Sequence, residues 1–117
     1  MKKIYYLSTC STCKRIMRDL GTAINEFEKI DIKLQTLTLS EIDQMRNLAG
    51  SYEAFFSKRA LKYKALKDKS LQESDYRELI HNEYTFLKRP VFIVDAQIFI
   101  GNRPKNIRAL KAHLTKG

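Results

Sequence analysis

The stretch "PVFIVDAQIFI", residues 90–100, restricts the fold more than any other in the chain. Two apolar runs rich in β-branched and aromatic residues are split by Asp95–Ala96, which fits two strands and a two-residue turn. The turn lacks the glycine such loops favour, so its type stays open. "RPKNIRALKAHL" (103–114) follows. Pro104 is tolerated in a first helical turn, and Ile107, Leu110 and Leu114 share one face. The chain therefore closes as β-β-α. It opens as β-α-β. "KIYYLS" (3–8) reads as a short buried strand, and "EKIDIK" (28–33), alternating apolar and charged, as a second. Between them Cys13, Ile16, Met17 and Leu20 form one helical stripe, opposite Lys14, Arg15, Arg18 and Asp19, with Gly21 as the stop. Parallel strands with a crossover helix, followed by a hairpin with a covering helix, predict an α/β fold built on a four-stranded mixed sheet.

The middle of the chain reads as helical and charged. Ser40 with Asp43 resembles a capping box, Ile42, Met45, Leu48 and Ala49 face inward behind it, and Gly50 ends the helix. "YEAFFSKRALKYKAL" (52–66) and "SDYRELIHNEY" (74–84) are the next helical pieces, with Phe55, Phe56, Leu61, Leu66, Tyr76, Leu79 and Ile80 as core. With 117 residues, 44% of them hydrophobic, the chain suits one domain with one core. It holds no repeat and no low-complexity linker.

The net charge is +9. It denotes either a solvated basic surface or attraction to an anion: an oxyanion, nucleic acid or an acidic protein face. The densest cluster, "SKRALKYKALKDK" (57–69), carries no nucleic-acid motif, so direct nucleic-acid binding is not expected. No apolar run approaches the roughly 20 residues of a membrane span. The basic N-terminus precedes only a short apolar run with no cleavage site, which argues against a signal peptide and for a cytoplasmic chain. Stable structural disulfides are rare in that compartment.

Cys10 and Cys13 are the only cysteines. They stand at the junction of the first strand and first helix, where unpaired N–H groups and the helix dipole favour a thiolate. Lys14 and Arg15 add positive charge one turn on. Cys13, on the apolar stripe, should be more buried and less acidic, which suits a thiol that attacks a mixed disulfide formed at Cys10. Two other readings compete. A closed zinc site needs four ligands, and His81 and His113 lie outside finger-like spacing. Two buried thiols also pack well as small hydrophobes. The strand–helix junction favours redox chemistry. Both prolines follow arginine, in "LKRPVF" and "GNRPKN". Arg89 and Arg103 each offer a planar fork suited to an oxyanion, or are plain surface arginines.

The cysteine turn, "FLKRPVFIVD", the "IGNRP" after it and the helical middle together resemble the glutaredoxin-coupled arsenate reductase family, over nearly the whole chain. They equally resemble its Spx-type branch of thiol-sensing transcription regulators. The resemblance implies a thioredoxin-like fold, here one domain over 1–117 with a helical insertion at roughly 36–88, and a cis-proline, Pro90, facing the cysteine. In the reductases one cysteine attacks arsenate and three arginines hold it. Cys10 matches the nucleophile and Arg89 one arginine; Arg103 matches a second if one residue is inserted before it. The third position is Ser57, with Lys58 and Arg59 beside it. The family's His-Asn approach to the cysteine is Tyr6-Leu7 here, and Cys13 is present as in the Spx-type branch. Gly50 lies near where that branch meets the RNA polymerase α-subunit, and taken alone it is a helix cap.

The expected function is a cytoplasmic thiol-disulfide oxidoreductase. Cys10 attacks a disulfide or a small oxyanion such as arsenate, and Cys13 resolves. Substrate contacts fall to Arg89, Pro90, Arg103, Arg59 and Lys58. No bound cofactor or metal is implied, and the reductant is external, glutathione with glutaredoxin or thioredoxin. The alternatives are a redox-sensing regulator that binds RNA polymerase and a relative that survives as a binding module.

Overall fold

The computed structural model describes residues 1–115. Its strands and α-helices run β1 (Lys2–Tyr6), α1 (Ser11–Leu20), β2 (Glu28–Asp31), α2 (Leu39–Ala49), α3 (Glu73–Asn82), β3 (Val91–Val94), β4 (Gln97–Ile100) and α4 (Pro104–Thr115). They fall into two compact units: Met1–Gln35 with the chain from Arg89 onward, and Thr36–Lys88.

The first unit carries the sheet, ordered β2-β1-β3-β4. β1 and β2 are parallel, with Tyr6 opposite Asp31. β3 runs antiparallel to β1, with Tyr5 opposite Val91, and β4 antiparallel to β3, with Val91 opposite Ile100. The expected β-α-β and β-β-α halves are thus both present. One consequence of this register positions everything below: the exits of β1, β2 and β4 and the start of β3 share one end of the sheet. There the ladder continues past the strands, the Ile32 N–H donating to the Tyr6 carbonyl at 2.9 Å and the Gly101 N–H to that of Pro90 at 2.8 Å.

Ile4, Phe92 and Phe99 are cross-strand partners on one face. With Ile16 and Leu20 of α1 and Leu110 of α4 they form a buried cluster, flanked by half-buried Met17, Ile107 and Leu114. The helical stripes expected of α1 and α4 therefore do cover the sheet. β3 is buried at all four positions, as a central strand covered on both faces should be. At the open turn Asp95 itself takes a positive φ of 55°, a conformation aspartate tolerates. Its N–H donates to the Met1 carbonyl at 2.7 Å and its carboxylate holds the N-terminal ammonium at 2.9 Å.

In the second unit Phe56 stacks on Phe86 (ring centroids 5.0 Å apart) and lies 4.7 Å from the Tyr76 ring. Gly50 ends α2 in the left-handed region, as expected. Three expectations need correction. The capping box of α2 is Thr38 with Glu41, whose side chains each bind the other's backbone N–H at 3.0 and 3.1 Å. Ser40 is already inside the helix, and Asp43 is spent on Tyr52 and Arg77 at 2.6 and 2.7 Å. Residues 52–66 form no α-helix, only short 3₁₀ turns at Glu53–Phe55 and Leu61–Ala65. The backbone is committed elsewhere: Phe56 bridges to Leu87, the Ser57 N–H donates to Phe86 at 2.6 Å and the Lys88 N–H to Phe55 at 2.9 Å. Leu61, expected in the core, is 80% exposed.

Candidate active site

The site begins with a turn. The Cys10 N–H donates to the Leu7 carbonyl at 3.0 Å, bending the chain out of β1, and the Cys10 carbonyl accepts from Lys14 N–H at 3.2 Å, opening α1. Cys10 is the N-cap, with extended backbone (φ −92°, ψ 112°). No side-chain capping hydrogen bond closes this helix start, and the N–H groups of Thr12 and Cys13 in its first turn act on the sulfur. Half-burial of Cys10 works against its thiolate. The N–H and thiol of Cys13, the N–H of Thr12 and the Arg89 guanidinium outweigh it, and the thiol is more acidic than an ordinary one.

Cys13 is fully buried on the inner face of α1. Burial first, and then the negative charge of Cys10, push its thiol up to about 11, against the Leu7 N–H and Arg89. Two thiols one helical turn apart are thus driven in opposite directions. The register of β3 explains why Arg89 reaches them. With Tyr5 opposite Val91, the Arg89–Pro90 dipeptide enters the sheet beside the exit of β1. Pro90 is buried and the Arg89–Pro90 peptide is cis.

Cys10, Cys13 and Arg89 are therefore together, with Pro90 adjoining Arg89. Lys14 and Arg15 are exposed, and the cation that acts on both sulfurs is Arg89. Arg103 is exposed ahead of α4, its carbonyl accepting from Ile107 N–H at 3.1 Å. Lys58 and Arg59 are exposed residues of the second unit, where the Lys58 ammonium sits 2.7 Å from Glu53. Among the described residues no three His, Cys, Asp or Glu side chains are placed to hold a metal ion. Among them also no helix is long and apolar enough to cross a membrane.

Sequence reasoning missed Asp31, which the alternation of "EKIDIK" places with the charged, outward residues. It is buried, and its carboxylate lies below the usual range because the Ser8 hydroxyl donates to it, as do the N–H groups of Lys33 and Ser8, against its burial. The available signal was an aspartate in a strand, which strands disfavour, at the end that faces the cysteines.

No curated protein matches this chain. Solved structures do. One is an arsenate reductase-related protein from Brucella melitensis, 22% identical, with 92% of each chain covered and a TM-score of 0.73. Another is an arsenate reductase from Vibrio cholerae, 18% identical, with 94% of this chain and 95% of that one covered and a TM-score of 0.78. A third, a possible arsenate reductase from Streptococcus mutans, is 28% identical, with 88% and 92% covered and a TM-score of 0.70. These share the four-stranded α/β architecture of the thioredoxin-like superfamily. Because residues 5–110, from the first strand through the last helix's buried Leu110, match the ArsC family, the chain belongs to that family.

Proposed function

We propose that the chain is a thiol-disulfide oxidoreductase with Cys10 as nucleophile and Cys13 as resolving thiol. The observation that carries this reading is the opposite tuning of the two sulfurs: the N–H groups of Cys13 and Thr12 and the Arg89 guanidinium draw Cys10 down against its burial, while burial and the neighbouring Cys10 charge push Cys13 up. The Cys10 thiolate attacks a sulfur of an oxidised substrate, forms a mixed disulfide and expels the first thiolate. Cys13 then attacks the Cys10 sulfur, expels the second thiolate and leaves an intramolecular disulfide. Two electrons pass to the substrate, and the Cys13 proton goes to a departing thiolate. An external dithiol of the thioredoxin type, or glutathione with glutaredoxin, restores the pair. No resident cofactor enters this chemistry.

The tuning also supplies a sequence of events. While Cys10 is an anion it suppresses ionisation of Cys13. Once Cys10 is in a mixed disulfide its charge is gone, and Leu7 N–H and Arg89 act on Cys13 unopposed by it. The second thiol is thus released for attack only after the first has reacted. Arg89 serves as the anion clamp, with charge-assisted hydrogen bonds to a carboxylate or oxyanion of the substrate. With arsenate, Cys10 would bond to arsenic with loss of hydroxide, and Cys13 would expel arsenite. The third clamp position is Ser57, whose N–H is tied to Phe86, and Lys58 is paired with Glu53. That favours disulfide substrates over arsenate. Here Arg103 and Pro90 are secondary substrate contacts, residues 36–88 an insertion in a single domain, and the working compartment the cytoplasm.

NADPH consumption tests this. Thioredoxin- and glutaredoxin-coupled assays with a mixed-disulfide peptide or arsenate should show turnover that Cys10→Ser abolishes and Arg89→Ala lowers. Absence of turnover with every oxidant refutes the enzyme. Capture of the RNA polymerase α-subunit by only one redox form would then favour the Spx-like regulator, which the complete dithiol also fits.

A further inference from the structure

We infer that Asp31 is a positioning residue that holds the Cys10 turn in its reactive geometry, acting through Ser8 and Leu7. The inference rests on the thiol chemistry proposed above. A buried carboxylate is costly unless its oxygens are matched by donors. Those of Asp31 are matched at the site end of the sheet. One oxygen accepts from the Ser8 N–H at 3.4 Å and the Lys33 N–H at 3.1 Å, and the Ser8 hydroxyl adds a further donor. The Asp31 carbonyl takes Leu34 N–H and Gln35 N–H at 3.1 and 2.9 Å. One residue therefore ties the loop leaving β2 to the loop leaving β1.

Ser8 has only one residue between it and Cys10, and its other neighbour, Leu7, bonds to both cysteines, to the backbone of one and the sulfur of the other. The Leu7 carbonyl holds the Cys10 N–H, and the Leu7 N–H is directed at the Cys13 sulfur. Displacing Ser8 moves Leu7, which changes both the seat of Cys10 over the helix amides and the one backbone donor that tempers Cys13. The charged groups that face this assembly are Lys33, on the Asp31 loop, and Arg89, at the start of β3. An aspartate needed only to end an edge strand would stand in solvent, as Glu28 and Lys29 of the same strand do.

The test is the rate of Cys10 alkylation by iodoacetamide against pH, with the modified residue identified by mass spectrometry. It is run on the full chain and on Asp31→Ala, Asp31→Asn and Ser8→Ala, each scaled to its folded fraction from urea unfolding. For Asp31→Ala we expect a higher midpoint and a rate at pH 6 about fivefold lower, the equivalent of one weakened hydrogen bond to the sulfur. Asp31→Asn keeps an acceptor oxygen and should recover most of the rate. A loss of stability with an unmoved midpoint overturns the assignment. Where Asp31→Ala does not fold, Ser8→Ala decides: an upward midpoint supports the role and a wild-type midpoint overturns it. A wild-type midpoint near that of a free thiol, roughly 8.5, overturns the oxidoreductase reading as well. An acidic wild-type thiol with unaffected variants overturns only the role of Asp31.

Discussion

Replacing Cys10 with serine should make Cys13 more acidic, although the substitution deletes the more acidic of the two thiols. The Cys13 thiol rises from 9.0 to about 11, which corresponds to about 3 kcal/mol set against its thiolate. Burial is the first cause and survives the substitution. The Cys10 anion, which both accepts the Cys13 proton's hydrogen bond and repels a second negative charge, does not survive. A hydrogen bond to a charged group is worth about 1.5–3 kcal/mol, so its removal is equivalent to one or two pH units. Because burial accounts for the larger share, the lower end applies, and Cys13 in Cys10→Ser should titrate about one unit below the wild-type value. Cysteine labelled with ¹³C at Cβ reads each residue separately by NMR, free of the ultraviolet absorbance of six tyrosines. In the wild type the two steps belong to the pair as a whole, so the comparison rests on the upper step. If that step stays near about 11 in Cys10→Ser, burial alone governs Cys13. The release of Cys13 on mixed-disulfide formation then has no electrostatic basis.

Two further perturbations test the second unit. Thr38→Ala should cost about 1 kcal/mol in urea unfolding by removing the cap of α2, while Ser40→Ala, inside the helix, should change little. Asp43 is held down to about 2, first by its hydrogen bond from Arg77 and then by that from Tyr52. A carboxylate depressed in the folded state stabilises fully above its unfolded pKa of roughly 3.9, and that stability is lost as pH falls toward about 2. Arg77→Met should therefore flatten the fall in unfolding free energy across that acid window, and an unchanged slope refutes the pairing.

Much of the first unit was legible because its periods are unambiguous. Cys13, Ile16, Met17 and Leu20 have one helical solution, and "VFIV" and "QIFI" around two residues have one hairpin solution. Residues 52–66 were not legible. Phe55, Phe56 and Leu61 mimic a helical stripe, whereas the backbone of 55–57 pairs with residues 86–88, thirty positions away, and local spacing carries no trace of that pairing. The cap was misread for a related reason: Ser40–Asp43 and Thr38–Glu41 both have the form of a box, and the tertiary demand of Arg77 and Tyr52 on Asp43 decides between them. The placement of Cys10 and Cys13 at the strand–helix junction was legible in the sequence. That of Asp31 was not, since strand alternation assigns it to solvent and only the loop above it explains its burial.

The β1–β3 ladder joins residues from opposite ends of the chain, and the acidity of Cys10 depends in part on a guanidinium that arrives with β3. A ribosome must have delivered the C-terminal hairpin before that cation is in place. Until then the emerging polypeptide exposes a thiol lacking that help, one less prone to premature oxidation. Completion of the sheet thus adds the last share of positive charge beside a sulfur that its own helix amides already favour as an anion.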